Sequence, residues 1–322
     1  VSEKAFISII VICYNEEKYL ELCLKSLSEQ KYPRELYEII VVDNGSTDNS
    51  QEIAKKYADH LLIHPKIKVG ALRNVGARVA KGSILAFLDG DCETKENWLS
   101  IINELNNKFP NTLNGAGCLL PENCYWMSKA FLTPNLLGRQ QTTSLTSQNF
   151  ALPTSIFQEV GGFDESLTAG EDVELFMRVA IKYQTFSDDS LEVLHYGVPQ
   201  SFRMFFGREM WHGLGAFGSF KINYFDKPLL ATFVFIFGYL LIFFGLVQSL
   251  LWDSSQISQM GLVIVFLIPL LSTIYRRDCI HSFMHGVQVC IVYFFYFFAR
   301  SLSLFILLLG LKHRYYKSKK ND

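Results

Sequence analysis

Neither sign of charge is in excess along these 322 residues: 30 Lys and Arg stand against 31 Asp and Glu. No basic field is available to hold a nucleic acid. Cys13, Cys23, Cys92, Cys118, Cys124, Cys279 and Cys290 are odd in number and contain no C-x-x-C pair. That excludes the usual patterns of a disulfide framework or a zinc site and suits a reducing compartment. The first strand-like run begins within a few residues of Val1, with no basic-then-apolar leader before it, so no export signal is expected. No G-x-G-x-x-G follows that run and there is no Walker loop, which counts against dinucleotide and P-loop folds. Phosphate recognition has to rest on something else.

What is present changes character along the chain. Up to about residue 224, charged, polar and apolar residues mix as in a soluble domain, whereas 228–311 holds long stretches with almost no charge. In the first part, FISIIVI (6–12) and EIIVV (38–42) read as strands, and Leu20, Leu24 and Leu27 recur at helical spacing between them. A helix is predicted over about 49–57, giving a βαβα pattern with short loops and a doubly wound, mostly parallel sheet. Asn15 is placed to cap the first helix, with Glu16 and Glu17 in its first turn. Residues 68–82 form a predicted helix carrying Arg73, Asn74 and Arg78. Another spans 93–105, with Trp98, Leu99, Ile102 and Leu105 on a core face. The segment 111–148 is rich in Asn, Thr, Ser and Gln, lacks a period, and reads as mostly loop on the acceptor side.

The centre of this part is SILAFLDGDC (83–92). Ile84 to Leu88 form an apolar run suited to a strand buried on both faces, and it stops at Asp89-Gly90-Asp91. Ligands of open α/β sheets bind beyond such strand ends. Two carboxylates one residue apart can hold a hard divalent cation, although Asp-Gly is also an ordinary turn. Asp43 ends an earlier strand, where it either starts the following Asn-Gly turn or reads a ribose or base. Arg73 and Arg78 belong to a solvated helix face or meet a phosphate through the guanidinium fork. Glu171 and Asp172 open a helix, where acids are favoured in any case. His195 stands at a strand end as a structural residue or a metal ligand.

Together IIVICYNEEKYL (9–20), VVDNGSTDNS (41–50), ALRNVGARVAKGSILAFLDGD (71–91) and GGFDESLTAGEDVELFMRV (161–179) resemble glycosyltransferase family 2, whose enzymes have the Rossmann-like GT-A fold. The resemblance covers roughly residues 6–179 and fades toward 213. It implies that Asp43 contacts the nucleoside of a nucleotide-sugar donor, and that Asp89-x-Asp91 is the DxD motif binding ribose and a metal-bound diphosphate, with Mn2+ or Mg2+ as the cation. It also implies that Glu171-Asp172 supplies the general base for an inverting transfer, with Asp172 as the base and Glu171 as the alternate. Similar proteins often carry a histidine at the position of His195, near the metal or diphosphate. Gln200-Ser201-Phe202-Arg203-Met204 looks like the QxxRW motif of processive polysaccharide synthases, with methionine for the acceptor-binding tryptophan. Arg203 and Arg208 are candidates for a phosphate or anionic acceptor, or for the membrane interface.

Residues 229–251 have the length of a bilayer-crossing helix. Residues 260–275 are shorter and contain Pro269, which a neighbouring helix can accommodate. Arg276-Arg277 then marks a return to the cytoplasm. Arg300 interrupts the third apolar stretch, 283–311, at a cost. Since the basic tail 312–322 also belongs inside, that stretch is expected to be re-entrant or non-spanning, or divided at Arg300. The expected organisation is a GT-A domain over 1–225, a membrane domain over 226–311 and a cytoplasmic tail. The expected activity is a metal-dependent, inverting transfer to a lipid-linked or membrane-associated acceptor, with the active site on the cytoplasmic side. The alternatives are a processive synthase, disfavoured by the missing tryptophan and the few spans, and a silent nucleotide-sugar-binding subunit, disfavoured by the intact Glu171-Asp172. A transporter does not explain the large α/β part.

Overall fold

A computed structural model describes residues 3–132, 138–142, 145, 148–167, 169–218, 227–252 and 256–310; the basic tail lies outside them. The chain divides into two compact units, Val1–Glu122 with Leu136–Val198, and Asn123–Asn135 with Pro199–Asp322. In chain order the elements are β1 (Ile7–Cys13), α1 (Leu20–Ser28), β2 (Tyr37–Asp43), α2 (Ser50–Tyr57), β3 (His60–Ile63), α3 (Val69–Val79), β4 (Ile84–Asp89), β5 (Cys92–Glu93), α4 (Trp98–Lys108), β6 (Thr112–Gly115) and β7 (Cys118–Leu119). There follow α5 (Trp126–Leu132), β8 (Gln140–Gln141), β9 (Asn149–Pro153), α6 (Thr154–Glu159), α7 (Glu171–Lys182), β10 (Gln184–Ser187), β11 (Val193–His195), α8 (Phe202–Gly218), α9 (Lys227–Trp252), α10 (Gln256–Tyr275) and α11 (Phe283–Leu308).

The first unit is built on an eight-stranded sheet of order β3-β2-β1-β4-β9-β6-β10-β8. β1 lies parallel to both β2 and β4, and β3 parallel to β2, while β9 runs antiparallel to β4 and β6. A small second sheet has the order β5-β11-β7. The apolar run of β1 is explained by cover on both faces. Ile7, Ile9 and Val11 pack with Leu20, Leu24 and Leu27 of α1 and Trp98, Leu99, Ile102 and Leu105 of α4. Ile10 faces the other way, into Leu72 and Val75 of α3 and Leu175, Phe176 and Val179 of α7. Stacked Phe87 and Phe150, with ring centroids 4.7 Å apart, tie β4 to β9 on that second face.

Three expectations need correction here. Of the segment 111–148, expected to be mostly loop, the described residues supply β6, β7, α5 and β8; two-residue strands and a seven-residue helix are too short to carry a period. The helix expected over 93–105 starts later, at Trp98, because residues 92–93 pair with β11. Asn15 does not cap α1, whose N-cap position is Tyr19 with no side-chain cap.

In the second unit α9, α10 and α11 are each long and apolar enough to cross a membrane. The second helix begins at Gln256, four residues before the expected 260. The third is a single helix of 26 residues, so it is neither divided at Arg300 nor broken into a re-entrant pair. Arg300 has a partner inside the unit, described below, and no break is needed to accommodate it. Helices α9 and α10 meet through small residues, as membrane helices do: a Cβ on Gly245 would lie 2.2 Å from the Ser258 backbone nitrogen, and one on Gly261 would lie 2.5 Å from the Gly238 carbonyl oxygen. Backbone atoms cannot swing aside. Gly245→Ala should therefore destabilise the helix pair by about 1–3 kcal/mol, the usual cost of overpacking, measured as an earlier midpoint in detergent-denaturation titrations; an unchanged midpoint would refute this contact.

Candidate active site

Parallel pairing sets the site's floor. The register Cys13↔Asp43 and Ile12↔Asp89 brings the carboxyl ends of β1, β2 and β4 to one edge, the crevice in which open α/β sheets bind ligands. The loops after β1 and β2 are fastened to each other there. Asn15 adopts a left-handed backbone, φ 55°, which asparagine tolerates; its Oδ1 accepts from the Thr47 amide at 2.8 Å. The Asn15 and Glu16 amides donate to Ser46 Oγ and Ser50 Oγ at 2.9 and 2.8 Å. Asp43 is fully buried and accepts from the Gly45 amide at 3.0 Å, from Gln51 Nε2 at 2.8 Å, and from the amide and hydroxyl of Ser46. In this structure its carboxylate shapes the loop over the strand ends.

Arg73 joins the two acidic motifs. It is 2% exposed, and its Nη2 reaches Asp89 Oδ1 at 2.8 Å while Nη1 reaches Glu171 Oε1 at 3.0 Å. Both ends of the fork are thus met by carboxylates, since a guanidinium withdrawn from water needs anions at its donors, and the solvated-face reading does not hold for Arg73. Arg78 is exposed and pairs with Glu165 at 3.3 Å, so it lies on the solvated face of α3. Burial raises the pKa of both Asp89 and Glu171, opposed by the Arg73 charge.

Asp91, by contrast, turns toward β11. His195 Nε2 lies 3.2 Å from Asp91 Oδ2, and the Tyr196 amide donates to the Asp91 carbonyl at 2.9 Å. Gly197 makes the room: a Cβ there would sit 1.7 Å from Asp91 Oδ2. Burial lowers the imidazole pKa, but the hydrogen bond and charge of Asp91 outweigh it and leave His195 at about 9. Glu16, placed by sequence reasoning in a helical turn, lies instead in the loop before α1 and feels this cluster. Burial and the charges of Asp91 and Asp89 push its carboxyl up to about 7. Its position just past the first strand end was the available signal.

Asp91, Cys92 and His195 offer donor atoms within 4.8 Å of one another. A carboxylate and an imidazole suit Mn2+ or Mg2+-type chemistry, with oxygen positions left for a ligand, so the residues fit the expected cation; the Cys92 thiol is fully buried beside them. Asp89, held by Arg73, is a less available donor than Asp91. Asp172 opens α7 next to Glu171, is less deeply buried, and its Oδ1 accepts from the Val173 amide at 2.8 Å. Arg203 lies on α8 in the second unit, and Met204, at the tryptophan position of QxxRW, is 53% exposed.

Comparison with known proteins adds the following. Residues 8–114 match the family described as Glycosyl transferase family 2. Glycosyltransferase AglE of Haloferax volcanii is 32% identical over 190 residues, covering 52% of this chain and 59% of that protein. The putative glycosyltransferase EpsH of Bacillus subtilis is 39% identical over 94 residues, covering 28% of this chain and 27% of that one. The chain thus spans less than two thirds of the length of these relatives. Among solved structures, the mannosyltransferase PcManGT from Pyrobaculum calidifontis, in complex with GDP-Man and Mn2+, superposes with a TM-score of 0.59 at 16% identity, covering 94% of this chain and 87% of its own. S. aureus TarS 1-349 gives 0.51 at 17% identity, covering 89% of each. These likenesses show the fold.

The titrations set a pH dependence. Glu16 holds its proton more tightly folded than unfolded, so its contribution to stability falls as pH rises from the ordinary 4.5 to about 7. His195 contributes fully below the ordinary 6.5 and loses its contribution as pH rises through about 9. Both slopes have the same sign. With chelator present, thermal midpoints should decline across this range, and Glu16→Gln should flatten the lower part and leave the upper; a wild-type slope in the variant would refute the assignment.

Proposed function

We propose that this chain, whose first unit carries a glycosyltransferase family 2 domain of the GT-A fold, transfers a hexose with inversion from a nucleotide-sugar to a lipid-linked acceptor. The observation that carries the reading is Arg73, which ties the Asp89-x-Asp91 strand end to the Glu171-Asp172 helix start. A donor-binding motif and a base motif far apart in sequence are thereby held at one edge of the sheet. PcManGT, which shares the fold, binds GDP-Man and Mn2+, and this supports a nucleotide-sugar and a metal here.

On this reading Asp43 and the loop it shapes hold the nucleoside, and Asp91 and His195 hold the cation. A divalent ion there supplies charge compensation for the departing diphosphate. Before it binds, the imidazole must release its proton. Asp172 accepts the proton of the acceptor hydroxyl as that oxygen bonds to the anomeric carbon, and the electron pair of the broken glycosidic bond leaves on the diphosphate oxygen. Glu171, committed to Arg73, is a positioning residue and the poorer base. Arg73 likewise positions carboxylates. Three helices able to cross a membrane support an acceptor held at the bilayer, where anchoring raises its local concentration. Arg276-Arg277 between α10 and α11 supports a cytoplasmic active site.

The test combines binding and turnover. For the wild type, one nucleotide-sugar with Mn2+ should raise thermal stability, by roughly 2.7 kcal/mol at a hundred times its dissociation constant. Asp91→Asn should remove that shift. Asp172→Asn should keep the shift and lose turnover by about 10²-fold or more. Equal turnover in wild type and Asp172→Asn would overturn the base assignment, and the absence of any donor shift in the wild type would overturn the donor site.

A further inference from the structure

The second unit contains a charged cluster that the transfer chemistry above does not use. Glu209 on α8 is 2% exposed, and an arginine flanks each of its oxygens. Arg208 Nε and Nη2 lie 3.2 and 3.1 Å from Oε1, and Arg300 Nη2, from α11, lies 3.4 Å from Oε2. The helices meet closely here: a Cβ on Gly213 would lie 2.6 Å from Ser303 Oγ and 3.3 Å from the Arg300 Cα. Ser303 Oγ donates to the Met210 carbonyl at 2.7 Å. The guanidinium of Arg300 also lies over the Tyr296 ring, 4.7 Å from its centroid.

Two guanidiniums share one carboxylate, so the cluster has a net positive charge. It is also short of acceptors. Each guanidinium carries about five N–H donors, and Arg300 Nε is buried with no hydrogen-bond partner among the described residues. A charge within an apolar helix is costly unless it is matched, and Glu209 matches only one of the two. Both arginines still reach the surface, with 24% of the Arg208 side chain and 14% of the Arg300 side chain exposed. That residual exposure is where an anion can meet them. Guanidinium forks match the oxygens of phosphate as they do those of carboxylate, and further along α11 the exposed surface is apolar, with Phe305 47% exposed.

We propose that Arg208 and Arg300, held apart by Glu209, bind the phosphate of a prenyl-type lipid whose tail lies along the apolar helices. This rests on the lipid-linked acceptor of the preceding reading and names its head group. Glu209 is a spacer: it fixes the two forks and keeps the empty site from carrying two unmatched charges.

The experiment uses the full chain in a maltoside detergent, which has no phosphate, and reads thermal shifts with farnesyl phosphate, farnesol and inorganic phosphate. Farnesyl phosphate should stabilise the wild type, while farnesol and inorganic phosphate at the same concentration should not. Arg208→Gln and Arg300→Gln should each weaken farnesyl phosphate binding at least about tenfold, and each should keep the nucleotide-sugar and Mn2+ shift of the first unit. Glu209→Gln, which adds net positive charge, should retain or tighten binding, which a purely structural ion pair would not do. If Arg300→Gln does not fold, the more exposed Arg208 decides. An equal shift with inorganic phosphate, or an undiminished farnesyl phosphate shift in Arg208→Gln, would overturn the proposal. Loss of the nucleotide-sugar shift in the wild type would instead overturn the transferase reading, so the two failures are distinguishable.

Discussion

A single buried guanidinium sets the arrangement of the first unit's site. Arg73 is almost wholly withdrawn from water, and a charge in that position is tolerable only if anions meet it with good geometry. Asp89 at the end of β4 and Glu171 at the start of α7 do so. The requirement works in both directions, because the two buried acids would themselves be driven toward their neutral forms without the arginine. Removing Arg73 leaves both acids uncompensated, and removing either acid leaves one end of its fork unmatched. The strand end and the helix start, 82 residues apart in the chain, are therefore held in one place by electrostatics as much as by packing.

That commitment assigns roles to the remaining acids. Asp89 and Glu171 are engaged by Arg73, whereas Asp91 meets His195 instead. Each acidic motif thus contributes one carboxylate to Arg73. Asp91 has its own partner in His195, and the absent side chain of Gly197 gives its carboxylate space. This division was not visible in the linear motifs, which show two acids side by side with nothing to rank them. Burial ranks them.

Much of the fold is legible in the sequence because strands buried on both faces leave continuous apolar runs: 6–12, 38–42 and 84–88 all lie within parallel neighbours of the central sheet. Asp43, Asp89 and His195 stand at strand ends as the pattern indicates. What escaped has a common physical character. β5, β7 and β8 are two residues each, too short for alternation, and are stabilised by partners distant in sequence. Glu16 looks like a helix-start acid, yet the loops after β1 and β2 fasten to each other and postpone α1 to Leu20. Arg300 argues for an interrupted helix only while Glu209 is out of view, since that partner is 91 residues earlier in the chain.

The two units thus solve one problem in two ways, and the difference bears on what each can bind. In the first, Arg73 meets two carboxylates. Around it Glu16, Asp89, Asp91, Glu171 and Asp172 outnumber Arg73 and His195, so the site has acid to spare. An anionic diphosphate is repelled from such a place unless a cation comes with it, and the raised pKa values of Glu16 and His195 show the cluster already drawing protons toward itself. A divalent ion answers the same deficit more fully than protons do, and competes with them for His195. In the second unit the ratio is reversed: two arginines meet one carboxylate, and the deficit is of negative charge. By charge balance alone, the first unit suits an anion that brings a cation with it and the second suits a bare anion.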